Sequence, residues 1–291
     1  MRSYTNEGRK GGMEMFEGKV FLITGGGSLG EALINRLLKL EPQAIRVLDN
    51  SEHALFKVQQ MFSDAENIRY LLGDITDYDR VEFAMGGANY VIHTAANKFV
   101  DFIEYSPFQA LNTNIDGTTN VIKAAMKTPS VEKVVYTSSD KAVEPTSTYG
   151  LSKALGEHLF LWGSRVSDKI FSTVRLPNLL KSKGAVFDIW EKQKSEGRPL
   201  SITDERMERY FMPMDDAVEM ILKIIRTAQG GEVFVPAYLK RQSIVDLARK
   251  MSDDLKVVGT RPGEKIVEKL MTPEEEKIAV REGSVWVIKS A

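Results

Sequence analysis

Hydrophobic residues along this chain follow two alternating patterns. Short, almost wholly apolar runs, Val20–Thr24, Ala44–Asp49, Ile68–Gly73, Tyr90–Ala95, Lys133–Ser138 and Ile170–Leu176, read as β-strands. Between them lie amphipathic stretches at helical spacing, among them Glu31–Leu40, Phe108–Met126 and Tyr149–Trp162. Strands that are apolar on both faces must be covered on both faces. The βαβ alternation therefore predicts a parallel sheet with helices on either side. After Pro177 the pattern breaks at Ser182–Gly184, Gly197–Pro199 and Pro213. Met214–Arg226 then reads as a helix, Glu232–Pro236 as a strand and Ser243–Met251 as a helix capped by Ser243. Leu255–Gly259 and Ser284–Ile288 read as strands.

This division predicts three parts: a flexible polar tail over residues 1–15, a sheet domain over 16–176, and a smaller lobe over 177–291. Residues from about 214 to 236 are expected to return from that lobe to the sheet domain. The cleft between the two is the natural ligand site.

Composition narrows the classes without choosing one. The 291 residues are 43% hydrophobic and 27% charged, with a formal net charge of -1. No global field favours nucleic acid or an anionic membrane. No apolar run approaches the about 18–20 residues that span a bilayer. The absence of cysteine excludes disulfides and thiolate metal sites, and the cytoplasm is the default location. His53, His93 and His158 lie in different elements and read as surface or packing residues, so no metal site is expected.

Candidate chemistry begins at the first strand. Thr24-Gly25-Gly26-Gly27-Ser28-Leu29-Gly30 follows it and opens a helix, satisfying G-x-G-x-x-G. Gly25 allows the tight turn, Gly27 lets backbone approach a pyrophosphate, and Gly30 permits close helix–strand packing. The helix start at Ser28 and Leu29 offers free N–H groups to phosphate. Asp49, followed by Asn50, ends the second strand, where a carboxylate accepts from ribose hydroxyls and repels a 2′-phosphate. NAD is therefore favoured, with NADP kept open by the nearby Arg46. Asp49 could instead cap the helix near Ser51. Asp74 and Ile75 follow the third strand, where an acid can meet adenine or cap a turn. Ala95 and Ala96 are small enough for a cofactor to lie against.

Tyr149 and Lys153 stand four apart on one helix face, a spacing at which an amine can help form a phenolate base. Just upstream, an apolar strand ends in Ser138-Ser139-Asp140-Lys141. Ligands in open α/β sheets bind at such carboxyl ends. An acid and a second amine at this place suggest more than hydride transfer.

Together the glycine turn, Asp49, Gly73-Asp74 and Tyr149-x-x-x-Lys153 resemble an extended short-chain dehydrogenase/reductase. More narrowly, the chain resembles the UDP-N-acetylglucosamine 4,6-dehydratases, including C5-inverting members, of polysaccharide biosynthesis. The matching segments include Thr94–Val100, Glu104–Pro107, Thr113–Gly117, Ser138–Ala142, Ile202–Tyr210, Gly231–Pro236 and Arg261-Pro262-Gly263-Glu264-Lys265. The Ser-Asp-Lys-Ala and Arg-Pro-Gly-Glu-Lys segments are the most specific. There are departures. The glycine turn is one residue shorter than the usual T-G-x-x-G-x-x-G. Asp49-Asn50 stands where Ser-Arg is frequent, Ser139 replaces a Thr, Arg175-Leu176-Pro177-Asn178 replaces Arg-Tyr-Gly-Asn, and Val267 stands where a His is common.

The resemblance implies a Rossmann-type doubly wound parallel sheet with a smaller C-terminal substrate-binding lobe. It implies a UDP-sugar substrate and a homo-oligomer, a dimer or hexamer. Tyr149 would take the C4–OH proton during oxidation, with Lys153 lowering its pKa and holding the nicotinamide ribose. Ser139 would hold O4, Lys141 would remove C5–H, and Asp140 would protonate the departing O6. Lys98 would lie near the sugar or diphosphate and Asn178 near the diphosphate. Arg209 and Arg261 would pair with phosphates, and Glu264 would hold the nucleotide ribose. A UDP-sugar 4-epimerase and a non-catalytic NAD-binding scaffold or sensor are the alternatives.

Overall fold

The computed structural model describes residues 15–180, 182 and 184–289. Of the predicted tail, residues 1–14 lie outside the described residues. Met15 packs against the core beside the fully buried Phe16.

Nine strands make the main sheet: β1 (Val20–Thr24), β2 (Ala44–Asp49), β3 (Ile68–Leu72), β4 (Tyr90–His93), β5 (Lys133–Ser139), β6 (Ile170–Leu176), β10 (Glu232–Pro236), β13 (Val280–Glu282) and β14 (Val285–Lys289). Their order is β3-β2-β1-β4-β5-β6-β10-β14-β13. Pairing is parallel from β3 through β10, and the β14 and β13 pairings are antiparallel. Successive side chains of β1 enter opposite layers. Phe21 and Ile23 join the core beneath the Ser28–Leu37 and Met214–Thr227 helices, while Val20 and Leu22 join the core beneath Thr118–Lys127 and Thr148–Val166. This is the two-sided burial the apolar runs predicted, in a doubly wound α/β sheet. The chain reverses its winding between β1 and β4, so a cleft opens at their carboxyl ends.

The smaller lobe has its own core around the fully buried Trp190, with Leu200, Ile202, Met207, Phe211 and Ile244. Two small sheets build it. One joins β7 (Asn178–Leu179), β9 (Glu208–Met212) and β11 (Arg241–Ser243); the other pairs β8 (Leu200–Ile202) with β12 (Leu255–Val257). Ser243 caps the Ile244–Arg249 helix by accepting from Asp246 N–H at 3.2 Å. Besides β10, the β13–β14 hairpin also lies in the main sheet, beyond the 214–236 segment that was expected to return. Hydrogen bonding along the free edge of β10 accounts for it, because a lone parallel edge strand leaves its backbone groups unpaired.

The predicted Phe108–Met126 helix is not continuous. A short helix, Pro107–Ala110, runs into a π-helical segment, Leu111–Gly117, before Thr118–Lys127. The wider turn rotates Asn114 inward, where it is buried and makes bonds described below.

Candidate active site

One cleft of ≈ 620 Å³ runs along the carboxyl ends of the strands and under the smaller lobe. Every predicted site residue lines it: Gly25, Gly27, Ser28, Leu29, Gly30, Asp49, Asn50, Asp74, Ile75, Ala95 and Ala96 at the sheet end, and Ser139, Asp140, Lys141, Tyr149 and Lys153 at the centre. Lys98, Asn178, Arg209, Arg261 and Glu264 line it from the other side.

The glycine turn fits a pyrophosphate. Gly25 has a φ of 95°, and a Cβ on Gly30 would lie 2.2 Å from the Gly25 carbonyl oxygen. A Cβ on Gly27 would meet no protein atom within 4 Å, so the backbone there faces open cleft. Gly27 precedes the Ser28–Leu37 helix without a side-chain cap, so no capping side chain stands between the helix start and an anion. Gly30→Ala should cost about 1–3 kcal/mol in stability, because the obstructing atom is backbone, and should sharply weaken dinucleotide binding. Thermal melting and NAD titration check this, and wild-type values for both would refute it.

Asp49 accepts from Gly26 N–H at 2.6 Å and from Ser51 N–H at 2.8 Å. The helix cap is Ser51 itself, which accepts from Ala54 N–H. Asn50 donates to Asp74 at 2.8 Å, so the two form one wall of the cleft. Arg46 turns away from it. Its guanidinium donates to the carbonyls of Ala84 and Gly86, at 2.8 and 2.5 Å. No arginine beside Asp49 is thus supplied from β2 for a 2′-phosphate, and the residues present fit a dinucleotide with free ribose hydroxyls.

The central groups come from β5 and from the helix that follows it. Ser147 caps Thr148–Val166 by accepting from Gly150 N–H at 3.1 Å, and Glu104 accepts from Thr148 N–H at 2.5 Å. Tyr149 and Lys153 then lie on the buried face. Lys153 is 3% exposed, donates to the Thr137 carbonyl at 2.8 Å and lies 4.5 Å from the Tyr136 ring centre. Burial pulls its pKa down to about 7, against the opposing pull of the Glu157 carboxylate. Burial pushes the Tyr149 phenol up to about 12, while the Lys141 cation and a Ser139 hydrogen bond work downward. The Lys141 cation thus bears on Tyr149 as well as on Asp140. Asn114 supports the pair from the π-helical segment. It donates to Ser152 Oγ at 2.9 Å, and Ser152 Oγ donates to the Tyr149 carbonyl at 2.8 Å.

Asp140 is 1% exposed. It accepts from Ser139 Oγ at 2.9 Å, from Lys141 Nζ at 3.1 Å and from Asn178 Nδ2 at 3.4 Å. Asn178 is thus held against the acid and the Tyr210 carbonyl. Lys141 Nζ also lies 3.5 Å from Glu268. Burial works to lower its pKa, but Asp140 and Glu268 overturn that and hold it raised.

The arginines differ in how free they are. Arg209 is buried and donates to the carbonyls of Glu208, Lys265 and Ile266, with Glu264 3.7 Å away. Its guanidinium fastens β9 to the segment carrying Arg261–Lys265. Arg261 is half exposed and lies 3.2 Å from Asp101. His93 is a packing residue, bonded to Thr24 and Thr118 hydroxyls at 2.7 and 3.0 Å, and burial draws its pKa down to about 3.

Three residues of the site carried no signal of their own. Asn114 lay within a matching segment, Glu268 three residues beyond Lys265, and Glu157 four after Lys153. Glu157 accepts from Ser138 Oγ at 2.5 Å and from Arg175, which also clamps Glu275.

Residues 20–290 match the polysaccharide biosynthesis protein family. The chain belongs to that family. A relative from Campylobacter jejuni, named UDP-N-acetylglucosamine 4,6-dehydratase (inverting), is 35% identical over 269 residues, 90% of this chain and 80% of that one. One from Rickettsia rickettsii, named UDP-glucose 4-epimerase, is 36% identical over 281 residues, with the same shares covered. Among solved structures, Pen from Bacillus thuringiensis superposes with a TM-score of 0.91 at 38% identity, covering 94% of this chain and 90% of that one. A dTDP-glucose 4,6-dehydratase from Streptomyces venezuelae, crystallised with NAD, superposes at 0.81 with 20% identity over 89% and 90%, a likeness of fold. An uncharacterised relative from Methanocaldococcus jannaschii, 38% identical over 89% of this chain and 82% of its own, is named a membrane protein. Among the described residues, no helix is long and apolar enough to cross a membrane.

Proposed function

We propose that this protein is a lyase, a nucleotide-sugar 4,6-dehydratase that acts on UDP-N-acetylglucosamine with NAD. One observation supports the reading above others: the Asp140–Lys141 pair, 3.1 Å apart, lies in the same cleft as Tyr149 and Lys153. An oxidation at C4 needs the second pair alone. An elimination across C5 and C6 needs another base and another acid, and in this reading Lys141 and Asp140 serve as them.

A bound NAD would supply reversible hydride acceptance. The glycine turn and first helix turn would hold its pyrophosphate, Asp49 its adenosine ribose and Lys153 its nicotinamide ribose. Tyr149 takes the proton of the C4 hydroxyl, and Ser139 holds O4. With C4 a ketone, C5–H lies α to a carbonyl and becomes acidic. Lys141 removes that proton, and Asp140 protonates O6, which leaves as water. The hydride taken from C4 would then return to C6 and a proton from Lys141 to C5, which gives the 4-keto-6-deoxy product with no net redox change. The amine must be neutral and the carboxyl protonated before the elimination. One proton crossing from Lys141 Nζ to Asp140 Oδ1 sets both states at once. Well-placed acid–base groups contribute about 10²–10⁴-fold each. Lys98, Arg261 and Glu264 face the substrate from the smaller lobe in this reading. Arg209, tied to backbone carbonyls, acts there by holding that segment.

The second reading is a 4-epimerase, favoured by the name of the Rickettsia relative. Incubation with UDP-N-acetylglucosamine in deuterated water separates the two. NMR should find a 4-keto-6-deoxy product carrying deuterium at C5, and a C4 epimer alone would reject dehydration. The couplings of H5 in that product decide whether C5 inverts.

The homo-oligomer implied by the resemblance is kept within this proposal. Leu151, Leu155 and Trp162 lie exposed on one side of the Thr148–Val166 helix, and sedimentation reads whether a second copy covers them.

A further inference from the structure

Glu268 has no part in the chemistry above, yet its carboxylate is placed as if it had. The residue is 1% exposed and borders the cleft. Oε1 lies 3.5 Å from Lys141 Nζ, and Oε2 lies 2.9 Å from Lys265 Nζ. Neither approach is aligned as a hydrogen bond, and Oε2 has no hydrogen-bond partner. A buried carboxylate costs free energy unless charge or hydrogen bonds compensate it. Here two ammonium groups do so, and one of them is the amine assigned to C5–H.

The surroundings of Lys141 can be enumerated. Asp140 faces it from its own turn, Tyr149 from the following helix, Arg209 from β9, and Glu268 from the segment after Lys265. Arg209 disfavours the ammonium form; the two carboxylates favour it. Asp140 cannot serve this purpose throughout a turnover. When it carries the proton destined for O6 it is neutral, and Lys141 then loses its nearest negative charge. Glu268 is the carboxylate that remains.

We infer that Glu268 is a positioning residue that sets the proton affinity of Lys141 while Asp140 is protonated. Its negative charge stabilises the ammonium that forms as the C5–H bond breaks and the N–H bond forms. The proton goes to Lys141, and the electron pair goes into the C4–C5 enolate. Lys265 anchors Glu268 from behind and donates to the Val143 carbonyl at 2.7 Å, which fixes the carboxylate relative to the Asp140–Ala142 turn. The role rests on Lys141 being the C5 base, as proposed above.

Two measurements test it. In full-length protein with 13C-labelled lysine, the Lys141 ε-carbon is identified by its loss in Lys141→Arg and titrated by NMR. Glu268→Gln should lower the Lys141 midpoint by about one pH unit, a tenfold loss of proton affinity. Lys265→Met should move it the other way, because Glu268 loses its second cation. An unchanged midpoint in either folded variant overturns the inference, and the second variant decides if the first does not fold. In turnover, Glu268→Gln should increase the isotope effect on C5-deuterated substrate, since C5–H cleavage becomes slower relative to C4 oxidation. An unchanged isotope effect also counts against it. If wild-type protein fails to exchange C5 hydrogen with solvent, the dehydratase reading fails, while the titration still reports on the Glu268–Lys141 contact.

Discussion

Lys141→Ala is expected to lose dehydration by about 10²–10⁴-fold while C4 oxidation continues in part. A single turnover should then show reduced nicotinamide accumulating without the 4-keto-6-deoxy product or C5 deuterium. Loss of a cation between two buried carboxylates also perturbs the site, so Lys141→Arg is the control. Arginine keeps the positive charge between Asp140 and Glu268 but does not give up a proton near neutral pH. It should restore thermal stability relative to Ala and leave C5 exchange lost. If Lys141→Arg or Lys141→Ala exchanges C5 at the wild-type rate, Lys141 is not the base.

Arg175→Met is expected to cost about 3–5 kcal/mol through loss of a buried charge partner. Arg175 donates to Glu157 at 2.7, 2.9 and 3.2 Å, to Glu275 at 2.7 Å through two nitrogens, and to the Leu270 carbonyl at 3.2 Å. Methionine fills similar space and leaves two carboxylates uncompensated. Thermal or denaturant unfolding should show the difference at neutral pH, and equal stability would refute it. The pH dependence has a definite sign. Burial alone would raise the pKa of Glu275, but its bonds from Arg175 hold it below the ordinary 4.5. The stabilisation is therefore complete above that value and disappears as pH falls through the lower folded one. The gap between wild type and variant should close in that acid range.

Much of the frame could be read from the residues because it rests on local pattern. β1, β2, β6 and β10 begin and end where the apolar runs do, since two-sided burial demands uninterrupted apolar strands. The glycine turn and Tyr149–Lys153 were visible because each needs fixed residue types at fixed spacing. What stayed hidden depends on contacts distant in sequence. Glu268 reaches Lys141 and Glu275 reaches Arg175 through folding of the smaller lobe, and no periodicity encodes either. The π-helical segment at Leu111–Gly117 escaped because a helical run does not reveal where one extra residue enters a turn. Arg209 is a further case. The resemblance sets it against phosphate, and the fold adds three backbone carbonyls, two of them 56 and 57 residues away, that its residue type does not reveal.

The β10–β14 pairing and the Glu275 clamp have a consequence for how the enzyme is made. During synthesis the glycine turn, Tyr149 and Lys153 leave the ribosome well before Glu268, Glu275 and β14. A nascent chain interrupted between these points holds the glycine turn and the Tyr149–Lys153 pair. It lacks the Glu268 carboxylate beside Lys141, the second clamp on Arg175, and the strand that covers the β10 edge. An unfinished product exposes an unpaired strand edge, the feature by which quality control and aggregation both recognise incomplete α/β proteins.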